Sequence, residues 1–154
     1  MSEDAGVGEG PGRMRVHHVV FCVHHANQER AAGLWRELGL TFAEIDLDDL
    51  GIRVLIDWEA GIELVSPVPG SGDEAAAFTE FLAANGEGLW SVVMDVPDVD
   101  GPTAVAERYG AQVAYRQHRE VGTMVIDEVM LGPYHGMPIT FLSTTTGDPK
   151  TADG

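Results

Sequence analysis

The sequence predicts an α+β fold of two tandem βαβββ modules packed around a shared cavity. Three observations predict it. Hydrophobic periodicity reads as strand, helix and three strands, and the same order then recurs. A Gly/Pro-rich stretch at 68–73 (VPGSGD) separates the two passes. Each pass is too short to bury a sheet face alone, so the two are expected to pack on each other and leave a concavity for a ligand.

In the first pass, residues 15–23 (RVHHVVFCV) are valine-rich and free of Gly and Pro, which predicts a strand. Alternation puts His18, Val20 and Cys22 on one face and His17, Val19, Phe21 and Val23 on the other. A helix follows, with Asn27 as its cap. Ala31, Leu34, Trp35 and Leu38 form its apolar stripe and Gly39 ends it. Residues 40–45, 51–58 and 61–66 read as three strands, with turns near 48–51 and 59–61.

After the linker, Ser71 and Glu74 have capping-box spacing. They precede a helix edged by Phe78, Phe81 and Leu82 and closed by Asn85-Gly86. The second pass then opens with a strand at 88–96 (GLWSVVMDV). Its helix at 102–109 has Pro102 in the first turn and Gly110 at the end. Strands are expected at 111–115, 123–130 and 137–143. Val19–Val23 thus corresponds to Val92–Val96, and Gly61-Ile62-Glu63-Leu64 to Pro138-Ile139-Thr140-Phe141. The expected organisation is a disordered tail at 1–12, modules at 13–67 and 88–145 joined by a helical linker at 68–87, and a disordered tail at 146–154.

Composition narrows the function classes. The chain has 154 residues, 44% of them hydrophobic, which suits one ordinary domain with a core. Its 25 acidic and 9 basic residues leave a formal charge of −16, a surface that repels nucleic acid and anionic membrane. The N-terminal stretch lacks the apolar region of a secretory signal, and no apolar run approaches the ~20 residues of a membrane helix. Cys22 is the single cysteine, sits in an apolar run and reads as a buried, inert thiol. A cytoplasmic location is the default expectation.

Particular segments resemble a known family. The strand RVHHVVFCV, the helix AAGLWRELGL, the strand GIELVSP and the stretch FLAANGEGLWSVVMDV are similar to segments of the vicinal oxygen chelate superfamily. That superfamily holds glyoxalase I, methylmalonyl-CoA epimerases, extradiol dioxygenases and bleomycin-resistance proteins. The last stretch is nearest to the epimerases, and the resemblance covers roughly residues 15–143. It implies a metal site of His and Glu (or Gln) from the first module and His and Glu from the second. Carried onto this chain, the first pair is His18 and Glu63, while Ser91 and Thr140 occupy the other two positions. A hydroxyl is a weak ligand beside imidazole or carboxylate, so the resemblance implies no metal or a weakly bound divalent ion. It also implies a base in the turn before the third strand, where Asp49 is the nearest equivalent. The opposite base falls on Thr140, which speaks against authentic methylmalonyl-CoA epimerisation.

The residues themselves leave alternatives open. His18 suits a satisfied core histidine or a cavity group. Glu63, inside an apolar strand, either faces solvent or is buried and must be paired. Together the two would make an acid–base unit without metal, assisted by Asp49. His135, in the turn after Gly132-Pro133-Tyr134, is a turn histidine or a substitute ligand. His118, His24 and His25 read as surface residues, and Trp58 and Trp90 as core or cavity wall. Arg53 and Arg116 would meet a ligand anion or simply lie exposed. Two functions compete: an isomerase, epimerase or lyase acting on a small oxygenated metabolite, and a non-catalytic, sequestering protein of the bleomycin-resistance type. A homodimer is the expected assembly.

Overall fold

The computed structural model describes residues 14–146; both expected tails lie outside the described residues, save that the last strand runs to Thr146. The first module consists of β1 (Arg15–Cys22), α1 (His25–Glu37), β2 (Ala43–Leu47), β3 (Ile52–Asp57) and β4 (Ile62–Pro67). A helix, α2 (Ala76–Asn85), leads to the second module. That module is β5 (Gly88–Asp95), α3 (Asp100–Arg108), β6 (Val113–Val121), β7 (Met124–Leu131) and β8 (Ile139–Thr146). The architecture is α+β with two tandem βαβββ modules, as the sequence predicts.

The chain divides into two compact units, one of them His18–Val92. Its strand order is β2-β3-β4-β1. β1 runs parallel to β4, with Val20 opposite Glu63 and Cys22 opposite Val65. β3 runs antiparallel to β4, with Ile56 opposite Glu63 and Val54 opposite Val65. Cross-strand partners share a face, so His18, Val20, Glu63, Val65, Val54 and Ile56 lie on one side. Phe21, Leu55 and Leu64 lie on the other, and there α1 packs through Ala32 and Trp35.

The helix does not bury the predicted stripe. Leu34 and Leu38 are 61% and 66% exposed, whereas Gln28 and Ala32 are fully buried. Gln28 fixes this rotation. Its amide donates to the carbonyls of Arg53 and Leu64, both at 3.0 Å, and accepts from Ser66 Oγ at 2.8 Å. An apolar side chain there would leave buried polar groups unmet. Asn27 is not the cap either: His24 holds that position, and Asn27 Nδ2 donates to Glu87 at 2.8 Å.

One other expected feature differs. Ser71 does not cap its helix; its hydroxyl donates to the carbonyls of Gly51 and Val68, and the side chain of Glu74 lies outside the described residues. A short 3-10 turn, Gly72–Ala75, precedes α2 instead. Trp90, read as core or cavity wall, packs on Phe78 and Phe81 of α2 at ring-centroid distances of 4.4 and 5.2 Å.

In the other unit the strands β8, β7 and β6 are neighbours in that order. Val96, Val99, Ala111, Val129, Leu131 and Phe141 form its core. A two-residue turn at Gly122-Thr123 joins β6 to β7, and Gly122 takes the left-handed φ of 64°. His118 lies inside β6, exposed as expected, and bonds Asp127 opposite it at 2.6 Å.

Candidate functional site

β1 and β4 bring together the two residues of the first module that the sequence singles out. His18 Nε2 and Glu63 Oε1 are 3.0 Å apart, with side chains 7% and 16% exposed. The parallel register explains the meeting. Glu63 lies beside Val20, two residues along β1 from His18, so both side chains leave the same face. That face is the one turned away from α1, and removing both groups from water makes the pairing necessary. The ring turns Nε2 toward Glu63, the nitrogen that would donate to an ionised carboxylate.

Trp58, in the β3–β4 turn, stands over this pair. Its ring meets the His18 ring edge-on, with centroids 6.0 Å apart at 76°. It is not core: the residue is 57% exposed. The turn beneath it is fixed by Asp57, whose carboxylate accepts the backbone N–H groups of Thr41, Glu59 and Ala60 at 2.9, 3.0 and 2.9 Å. Those bonds hold the Asp57 carboxyl below its ordinary pKa.

Asp49 is not brought to the pair. It is exposed in the 3-10 turn Asp48–Leu50, beyond the Ile52 end of β3. Ile56, opposite Glu63, is four residues further along that strand, about 13 Å at strand rise. Ser91 is buried in β5 and Thr140 is buried in β8 of the other unit. His135 is exposed, with φ 50°, and its ring lies against Tyr134.

The donor set does not fit a tightly held cation. The pair offers one imidazole and one carboxylate. Among the described residues, no three His, Cys, Asp or Glu side chains are grouped to hold an ion. Cys22 is fully buried, and desolvation pushes its thiol up to about 12, which keeps it out of nucleophilic chemistry.

Sequence reasoning missed a polar network on the helix side of the sheet. Arg53 donates to Glu44 at 2.9 Å, Glu29 at 2.7 Å and Gln28 at 3.2 Å, so its guanidinium serves the fold. Bonding to Arg53 lowers the pKa of both Glu29 and Glu44. Arg116 approaches Asp100 at 3.6 Å. The signal for Arg53 was parity: it alternates with Val54 and Ile56 and so faces α1, away from His18.

The duplicated βαβββ order is the fold that the resemblance to the vicinal oxygen chelate superfamily implies. Methylmalonyl-CoA epimerases are among the solved structures this chain is similar to. A variant of the Streptomyces coelicolor enzyme in complex with 2-nitronate-propionyl-CoA is 22% identical, covering 84% of this chain and 96% of that one, with a TM-score of 0.63. The Mycobacterium tuberculosis methylmalonyl-CoA epimerase is 23% identical over 90% of this chain and 91% of its own, with a TM-score of 0.56. A hypothetical protein from Bacillus halodurans C-125 is 18% identical over 87% of this chain and 96% of its own, with a TM-score of 0.68. At such identities the likeness shows the fold. No protein-family model matches the chain, and no curated protein does. Among the described residues no helix is long and apolar enough to cross a membrane.

Proposed function

We propose that the chain is an enzyme of isomerase, epimerase or lyase type that moves a proton on a small oxygenated metabolite with the His18–Glu63 pair and no tightly held metal. The observation that carries this reading is the 3.0 Å contact between an imidazole and a carboxylate, both withdrawn from solvent. The substrate is a carbon acid, with its C–H next to a carbonyl. The imidazole takes the proton, and the C–H electron pair passes into the enolate. Glu63 orients the ring and balances the imidazolium. The proton then returns to the same or a neighbouring carbon, or a β-substituent leaves. One pair suits transfer on one side of the substrate, since the family's second base position holds the neutral Thr140.

The similar epimerases support the substrate class, because several of their structures are complexes with methylmalonyl-CoA or 2-nitronate-propionyl-CoA. A charge of −16 does nothing to attract an anionic CoA ester, which favours a smaller substrate. The hydroxyls at Ser91 and Thr140 favour a second reading, a binding protein that sequesters a small molecule without turnover.

Deuterium uptake from D₂O into a panel of α-keto acids and acyl thioesters, followed by proton NMR, separates the two. The catalytic reading predicts exchange that survives EDTA and falls at least ~100-fold in Glu63→Gln. Binding without exchange in any compound supports sequestration, and exchange abolished by EDTA overturns the metal-independent mechanism.

A further inference from the structure

We infer that Trp58 is a specificity-determining platform that selects substrates bearing a flat aryl or conjugated group next to the acidic C–H; this rests on the acid–base reading of His18 and Glu63. The chain has three tryptophans. Trp35 stacks against Phe21, and Trp90 packs on two phenylalanines. Trp58 keeps 57% of its surface exposed while its ring touches the histidine of the buried pair. A large apolar ring left in water beside a reactive centre is surface that a ligand can cover.

Position and rigidity both favour this role. Ile56 shares the Glu63 face of the sheet, and Trp58 follows two residues later, where the chain turns. Three backbone N–H groups hold the Asp57 carboxylate, and Gly61 N–H donates to the Asp57 carbonyl at 2.8 Å. The backbone under the indole is therefore ordered before any ligand arrives, so stacking costs little extra conformational entropy there. An enolate conjugated with an aryl group is flat. It matches an indole better than the tetrahedral carbon it comes from.

The test uses a matched pair of carbon acids, phenylpyruvate and 2-oxobutyrate, which differ by phenyl for methyl beside the same keto acid. Calorimetric titration reads binding, and deuterium uptake at C3 reads proton transfer. Wild type is expected to favour phenylpyruvate about tenfold or more. Trp58→Phe keeps most of that preference, and Trp58→Ala brings the ratio close to one. His18→Ala abolishes exchange and keeps the binding preference. A wild-type protein that does not discriminate, or a preference unchanged in Trp58→Ala, overturns the inference. A Trp58-dependent binding preference with no exchange in wild type leaves the platform standing and sinks the catalytic reading instead.

Discussion

Glu63 is the residue whose environment decides most. Its carboxylate is mostly withdrawn from water, and its partner is a single imidazole. His18→Ala would strand that charge and is expected to cost of order 2–4 kcal/mol in urea unfolding. Glu63→Gln keeps shape and an acceptor and should cost under about 1 kcal/mol while removing the proton-balancing charge. A variant that stays folded but loses exchange marks function; two variants that merely unfold mark a structural pair. The pairing was readable in the sequence, because a glutamate inside the apolar strand at 61–66 needs a partner if buried and the family resemblance put His18 beside it as the other first-module ligand. Trp58 was half legible: the sequence reads it as core or cavity wall, and the turn built on Asp57 leaves it exposed.

At the scale of elements, α1 is seated by hydrogen bonds as much as by apolar contact. Gln28→Ala should destabilise the protein by about 2–3 kcal/mol in chemical denaturation, since it leaves strand carbonyls and Ser66 without their buried partner. Replacing exposed Leu34 by Ala should cost little. The stripe read from sequence was off by part of a turn because a buried glutamine looks like a surface residue. The β6–β7 hairpin was less legible, since the strand expected at 111–115 runs on to Val121. His118 and Asp127 stand at equal distance from the Gly122-Thr123 turn, so their pairing follows from the loop length. Asp127, then Glu120, raises the His118 pKa above 6.5. A raised value means the pair stabilises fully below 6.5 and its contribution is lost as pH rises through the folded value. The thermal advantage of wild type over Asp127→Asn should therefore be largest in mild acid and vanish in alkali.

For the whole molecule, the duplicated order of elements was the strongest signal, and the structure keeps it in both modules. Strand boundaries moved by a few residues, since periodicity says where a strand is buried but not where its ladder stops. A surface at −16 repels itself, so added salt should raise the melting temperature by screening. Metal analysis of protein purified without chelator should find clearly less than one divalent ion per chain, since the pair supplies one imidazole and one carboxylate and the other two family positions hold the hydroxyls of Ser91 and Thr140. One tight ion per chain would mean that the hydroxyl positions contribute more than their chemistry predicts.

The central claim is that an imidazole and a carboxylate form one proton-handling unit inside the protein. Nitrogen-15 NMR of the His18 ring tests it most directly. The predicted result is a protonated Nε2 whose hydrogen-bonded proton resonates far downfield and moves sharply upfield in Glu63→Gln. A His18 ring whose Nε2 carries no proton, or whose signals ignore the change at residue 63, would contradict it.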